Sequence, residues 1–414
     1  TFFIGSWGFG QNLDFGGTID SLTSLSITEE ASLFNQEKLA LWFTAGGDTG
    51  LKFNAQGSYT FTTERPYLFD VDYLNLGGNW LFGETTPTVF SFKAGRFYSY
   101  DFTGYVYSHT ADGLSLSVGL PFMTINLSGF FTGLMLKPNS TITMSNADQS
   151  DQSDDSVVLG PKRIVALATV GFPELLLKQD ITLSGIFQFD LRPDADVGAD
   201  EGKVTTQYAG AGLGGPIVPA LYWNSFFYLG LGTSTYATGN YLGYLTGGGI
   251  RYFNKELLST RVELKTMVAS GDADADSYIE GNTSGQYTAF TPVSKTSTGY
   301  IFAPALTNIW ITELSYSFKL FMNSESEVMK NFQYKTKWIV FFRPTLGPIS
   351  AGGLQDNSEA YYLGTEIDHA LNFRPLSDFG VAISWGLFLP SEQAFYASVR
   401  KAEGILRLEA SLSF

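Results

Sequence analysis

The segment Gly404–Phe414, reading G-I-L-R-L-E-A-S-L-S-F, decides the fold. Apart from Ile405 it alternates strictly: Leu406, Leu408, Ala410, Leu412 and Phe414 fall on one side, and Arg407, Glu409, Ser411 and Ser413 on the other. A period of two residues describes a strand with one apolar and one polar face. The last residue of the sequence is an aromatic on the apolar side, whereas frayed chain ends are usually polar.

An apolar-faced strand closing on Phe resembles the C-terminal assembly signal of bacterial outer-membrane β-barrels. The resemblance implies that Leu408, Leu412 and Phe414 are read by the barrel-assembly machinery.

Composition narrows the alternatives. The 414 residues include 45 Gly, 35 Phe, 22 Tyr and no Cys, which removes disulfides and thiolate metal sites and suits an oxidising compartment. The net charge of −15 argues against nucleic acid, whose phosphates need a basic partner surface. No run reaches the ~20 apolar residues of a membrane-crossing helix. Thr1-Phe2-Phe3 lacks the basic start of a signal peptide, so an exported protein would be represented here by its mature chain.

Alternating runs bounded by Gly, Pro, Asn and Asp clusters give about 18 strands, with 16 as the alternative, in one domain spanning 1–414. Residues 1–12 remain unplaced. The reading includes strands over Gly113–Leu120, Met123–Leu136 and Leu306–Met322, with His109 in the connection before Gly113. Connections from even to odd strands are mostly short. The odd-to-even ones include the long polar segments 137–160 and 270–305. Short turns at one end and long loops at the other mark a transmembrane barrel, with an apolar band outside and a polar interior. A soluble sandwich also alternates, but nothing in it sorts loop lengths to opposite ends.

Parity then nominates the pore wall. Lys52, Lys93, Arg261, Lys265, Lys319, Lys335, Lys337 and Arg407 are expected inside, together with Asp70, Asp72, Asp190, Glu263, Glu313, Glu366, Asp368 and Glu409. These eight bases and eight acids make a balanced lining. Arg96 joins them through a break in the outward series Phe90, Phe92, Ala94, with Asp101 as its expected partner. The segments 137–160, 193–203 and 270–305 hold twelve acids against three bases, which predicts an acidic outer rim and a mild cation preference.

Asp272, Asp274, Asp276 and Glu280 space oxygen ligands as the start of a calcium loop does. Ser277 stands at its glycine position and Thr283 at its bidentate glutamate position, which favours an acidic loop without a metal. No other cofactor is expected. The uncharged run Val204–Ile250 predicts a wall of small or neutral groups, such as Thr206, Ala209, Asn224, Ser225 and Thr246. An inward-folded loop could pack on it, or its outer face could meet another subunit. The G-x-S-x-G and H-E-x-x-H patterns are absent, and neither His109 nor His369 has an evident catalytic partner, so no enzyme is expected.

Gly95-Arg96-Phe97, Asp101-Phe102-Thr103-Gly104 and Ala111-Asp112-Gly113-Leu114 are similar to a run in β-barrel proteins of spirochaete outer membranes. That resemblance implies an outer-membrane, porin-like protein and supplies no binding residues. The sequence therefore predicts an all-β, up-and-down antiparallel barrel that passes small hydrophilic solutes. A substrate-specific transporter barrel and a plugged surface adhesin are the alternatives. The expected partners are outer-membrane lipid, the solutes and the assembly machinery, with the protein a monomer or a homotrimer.

Overall fold

The computed structural model describes residues 12–28, 30–47, 50–83, 87–198, 201–236, 239–282 and 285–414. Residues 1–11, Asp200 and Thr283 lie outside the described residues. The strands are β1 Asn12–Ile27, β2 Ala31–Gly46, β3 Leu51–Thr62, β4 Leu68–Phe82, β5 Thr88–Tyr100, β6 Ser108–Leu120, β7 Met123–Phe131, β8 Arg163–Leu176 and β9 Gln179–Asp190. They continue as β10 Val204–Val218, β11 Leu221–Ser234, β12 Asn240–Asn254, β13 Thr260–Ala269, β14 Ile309–Lys319, β15 Gln333–Phe342, β16 Tyr362–Phe373, β17 Phe379–Pro390 and β18 Glu403–Ser413. One helix, α1 Asn146–Ser153, lies between β7 and β8.

Every strand pairs antiparallel with its sequence neighbours, and β1 pairs with β18 from Thr18↔Ser413 to Ile27↔Gly404. The result is a closed barrel of 18 strands, a form that leaves no edge to be solvated by lipid. Strand lengths of 9 to 16 residues meet the ~9–11 needed to cross a bilayer obliquely. The even-to-odd connections are mostly short, down to two residues at 121–122, with 320–332 the longest of them, while 132–162 and 270–308 join odd to even strands at the opposite end.

Several boundaries differ from the sequence reading, and three of them bear on the interior. Strand β6 starts at Ser108, so His109 lies within a strand and not in a connection; its Nδ1 is 3.0 Å from Thr141 Oγ1. Strand β7 ends at Phe131, because the chain from Thr132 turns into the loop and bonds across it to Arg163 O. Strand β14 starts at Ile309, since Leu306–Asn308 are bonded to the loop.

The outer face carries exposed apolar side chains, Leu406, Leu408, Leu412 and Phe414 among them. His369 lies on this face, stacked on Trp385 and 2.7 Å from the Tyr334 hydroxyl. The buried core is inside the barrel, where loops meet the wall, and Tyr208, Tyr228, Phe290, Phe302, Phe341 and Phe388 are among its aromatic members.

Candidate permeation pathway

The interior is shaped by connections that fold inward. From Ser270 the loop 270–308 first adds to the wall at β12. There Tyr287 donates its N–H to Asn240 O, and Leu242 donates to Tyr287 O. It then meets the β5–β6 connection, where the N–H groups of Val293 and Ser294 both reach Val106 O. At the β16 wall the Glu366 carboxylate accepts the N–H groups of Tyr300, Ile301 and Phe302 at 2.6, 3.0 and 2.8 Å. Phe302 stacks on Phe388 at 4.6 Å, and Arg407 donates to Tyr300 O. A buried carboxylate thus satisfies these three backbone donors away from water.

The loop 132–162 is pinned on the other side. Arg163, fully buried at the start of β8, lies 2.7 Å from Asp148 of α1 and 3.1 Å from Asp190 of β9. Arg192 bridges Asp148 at 3.1 Å and Asp151 at 2.7 Å. Ser145 caps α1 by accepting the Asp148 N–H, and Lys137 donates to the Asp151 and Asp154 carbonyls at its far end. The two loops join where Glu280 accepts the Asn146 N–H and the Ser234 hydroxyl. Burial pushes the Glu280 carboxyl up to about 7. At the half-buried Glu201, hydrogen bonds from the Ser150 hydroxyl and the Gly198 N–H hold the carboxyl below its ordinary value.

The residues nominated for the pore divide accordingly. Lys52, Asp70, Asp72 and Lys93 stand on the inner faces of β3, β4 and β5, where Asp72 pairs with Lys38 at 3.2 Å. Arg261, Glu263, Lys265, Glu313, Lys319, Lys335 and Lys337 occupy the inner faces of β13, β14 and β15, and Arg407 and Glu409 that of β18. Asp190, Glu366 and Asp368 are corrected: none faces open space, because the loops cover them to 3% exposure or less. The lining that remains has eight bases and five acids of the original set, so it is not balanced.

Arg96 is also corrected. It reaches Asp112 at 2.8 Å and Asp70 at 3.5 Å, while Asp101 is occupied by the N–H groups of Val106 and Tyr107 and by the Tyr228 hydroxyl. The acids of 272–280 do not converge. Asp272 and Asp274 share Asn282, Asp276 accepts the Tyr236 hydroxyl, and Glu280 holds the loop junction. Among the described residues no three His, Cys, Asp or Glu side chains are placed to hold a metal. The acids in the long loops are partly consumed by Arg163, Arg192 and Lys203, two of which lie in strand or connection positions that parity did not nominate.

The wall of the uncharged run is bulky where small groups were expected. Tyr208, Phe226, Tyr228 and Tyr241 face inward and are the surface on which the loop packs, while Ala209 faces out beside Leu229.

Open space remains between the loops and the short-turn end. A cavity of about 750 Å³ is bounded by Arg251, Arg261, Lys265, Lys335 and Lys337, with Glu263, Glu313 and Asp180 as its carboxylates. Arg251 and Arg261 share Glu263 at 2.6 and 2.5 Å, and Lys265 lies 3.2 Å from Glu313. Among the described residues no carboxylate lies within ion-pair distance of Lys335 or Lys337. A second cavity of about 630 Å³ is lined by Asp20, Glu409, Gln333, Asn372 and Arg374. Cations therefore gather on β12–β15, and carboxylates on the wall around β1 and β18.

No protein-family model and no curated protein matches the chain. Solved structures do. Pseudomonas aeruginosa OccK2 (OpdF), in complex with glucuronate, superposes with a TM-score of 0.62 at 12% identity, covering 97% of this chain and 98% of that one. The outer membrane protein opdK of the same organism gives a TM-score of 0.60 at 11% identity, over 97% and 98%. P. aeruginosa OccK11 (OpdR) gives 0.58 at 13%, over 97% and 96%. These likenesses do not bear on the spirochaete resemblance. At such identities they establish the architecture, and the chain has the closed 18-strand fold of these outer-membrane proteins.

Proposed function

We propose that the protein is a bacterial outer-membrane channel for passive passage of small hydrophilic solutes, narrowed by its inward loops and selective for small anions. It performs no covalent chemistry. The observation that carries the selectivity is the group of five cations around the larger cavity, where Lys335 and Lys337 are left without a carboxylate partner. With five cations against three carboxylates, the lining carries an excess of positive charge. A low-dielectric channel with an excess of one sign concentrates ions of the opposite sign. The glucuronate bound by OccK2, a structure of the same architecture, is a small carboxylate of the expected kind.

This reverses the cation preference expected from the acidic loops, because part of that acidity is neutralised within the fold. The reading takes outer-membrane lipid as the surrounding partner and insertion by the barrel-assembly machinery. Light scattering of the purified protein distinguishes monomer from homotrimer.

Single-channel recording in a potassium chloride gradient tests the proposal. A reversal potential of the anion-selective sign, with current blocked saturably by glucuronate and less so in Lys337→Gln, supports it. A cation-selective potential would restore the acidic rim as the filter. A silent bilayer with folded protein would favour a plugged surface barrel.

A further inference from the structure

The barrel wall is split over part of its height. Strands β4 and β5 pair from Phe82↔Thr88 up to Leu74↔Arg96 and no further. Beyond that rung, residues 68–73 of β4 pair only with β3, and residues 97–100 of β5 only with β6. An unpaired strand edge inside a bilayer costs several kcal/mol for each bare polar group (on the order of that for transfer into hydrocarbon), unless something else satisfies it.

Here side chains do so. Val71 donates its N–H to Asp70 Oδ1 at 2.8 Å and accepts Arg96 Nη1 at 3.1 Å on its carbonyl. Asn75 Nδ2 caps the Arg96 carbonyl at the foot of the split. Gly95, at φ +114°, makes the departure possible: a Cβ there would lie 2.1 Å from Leu74 O. The split is thus provided for by the residues at its edges.

A cavity of about 410 Å³ opens at its foot and takes its lining from both faces of the sheet. Trp42, Gln56, Asn75 and Lys93 come from the inner face, as does Tyr73, the cross-strand partner of Gln56, and the exposed ring of Tyr98 comes from the outer one. Lys93 is the one formal charge in that lining. Its Nζ lies 5.3 Å from the Phe97 ring centre, and no described carboxylate pairs with it.

We propose that the β4–β5 split is a lateral binding site for an anionic amphiphile of the bilayer, such as a single-chain carboxylate, with its head at Lys93 and its chain between Tyr73 and Tyr98. This is independent of axial anion passage: the ligand is long-chained, and its route lies through the wall. A cation in a cleft with aromatic walls suits one anionic head joined to an apolar tail.

The chain has no Cys, so a single Thr44→Cys carries a bimane label on the inner wall that lines the cavity, and Ser315→Cys carries one on the distant inner wall of β14. In nanodiscs, doxyl-stearate should quench the first label saturably and the second little, and laurate should compete where acetate does not. Lys93→Gln should raise the midpoint about tenfold. A Val71→Cys/Ser99→Cys pair bridged by a bis-maleimide should abolish the quenching.

Equal quenching at both labels would mean arrival along the axis and would overturn the proposal, as would an unchanged midpoint in Lys93→Gln or full quenching after bridging. Heat-modifiable electrophoretic mobility checks that each variant is folded. If Lys93→Gln fails that check, laurate competition on the Thr44→Cys protein decides alone: competition by laurate over acetate supports the site and its absence removes it. Because glucuronate block and lateral quenching are read separately, either reading can fail without the other.

Discussion

Arg163 on the barrel wall and Asp148 on the helix of the inward loop face each other 2.7 Å apart, both side chains closed off from solvent. Asp190 shares the guanidinium, and Asp148 also accepts the Met144 N–H. Asp148 ties loop 132–162 to the sheet through both Arg163 and Arg192, and removing it leaves Arg163 with Asp190 alone and Arg192 with Asp151 alone. The cost therefore falls at or below the low end of the ~3–5 kcal/mol for breaking a buried pair. Asp148→Ala should therefore release the loop while the barrel persists. The expected outcome is larger single-channel conductance and faster proteolysis within 137–160, with the heat-modifiable barrel band retained. Unchanged conductance and cleavage would show that the loop is held elsewhere.

Glu366 makes the corresponding tie for loop 270–308. Its two oxygens accept three N–H groups, whereas an amide keeps one acceptor and turns its other end into a donor facing donors. Glu366→Gln should cost about 2 kcal/mol of local stability, within the range for unsatisfied buried groups. Open-channel current noise should rise, and amide exchange at Tyr300–Phe302 should accelerate. A silent substitution would mean that the packing of Phe302 on Phe388 alone sets the position of this turn.

The strands were legible because each one separates two solvents. In β14, Leu314, Tyr316 and Phe318 meet the lipid side while Glu313, Ser315 and Ser317 meet the interior, so period two survives in the sequence. The inward course of the loops was not legible, because it depends on partners far along the chain. Nothing near Glu366 announces the backbone of 300–302, and nothing near Arg163 announces Asp148. One signal was present: the polar segment 270–305 contains Ile279, Phe290, Val293 and Phe302, all of them buried. Apolar residues in a long polar loop have to be covered, and the nearest cover is the lumen. Parity also cannot tell an open inner face from a covered one, which is why Asp190, Glu366 and Asp368 were placed in the lining. The break at Arg96 was visible as a parity fault, but its cause is the left-handed Gly95 and the end of β4–β5 pairing.

Glu280 makes the loop junction sensitive to pH. Its carboxyl sits at about 7 in the folded protein, raised by burial from an ordinary value near 4.5. For a group whose folded pKa is raised, the folded state binds more protons than the released loop between those two values. The added stability is fully present below about pH 4.5 and is lost as pH rises through about 7. Loop release, read from amide exchange around Asn146 and Glu280 after division by the intrinsic base-catalysed rate at each pH, should therefore be more frequent at pH 8 than at pH 5. Glu280→Gln should flatten this dependence. A pH profile identical in that variant would assign the sensitivity to another group.

The closing rung of the barrel joins Phe414 to Gly17, each donating its N–H to the other's carbonyl at 3.0 and 2.9 Å. The aromatic ring lies over Gly17, where a Cβ would come within 2.6 Å of Phe414 Cζ. The neighbouring Gly16 is more constrained, since a Cβ there would be 2.6 Å from the Phe414 carbonyl oxygen and equally close to the Trp42 ring. A ring can swing aside, but a hydrogen-bonded backbone oxygen cannot move without opening the rung. Because an open edge is not tolerated in lipid, Gly16→Ala should lower the yield of folded barrel in liposomes more than Phe414→Ala does. The channels that do fold should conduct normally in both variants, since neither side chain borders the cation-lined cavity. Folding yield by heat-modifiable mobility and conductance per folded channel separate these effects. A Gly16→Ala protein that folds as well as the parent would show that β1 and β18 close without this contact.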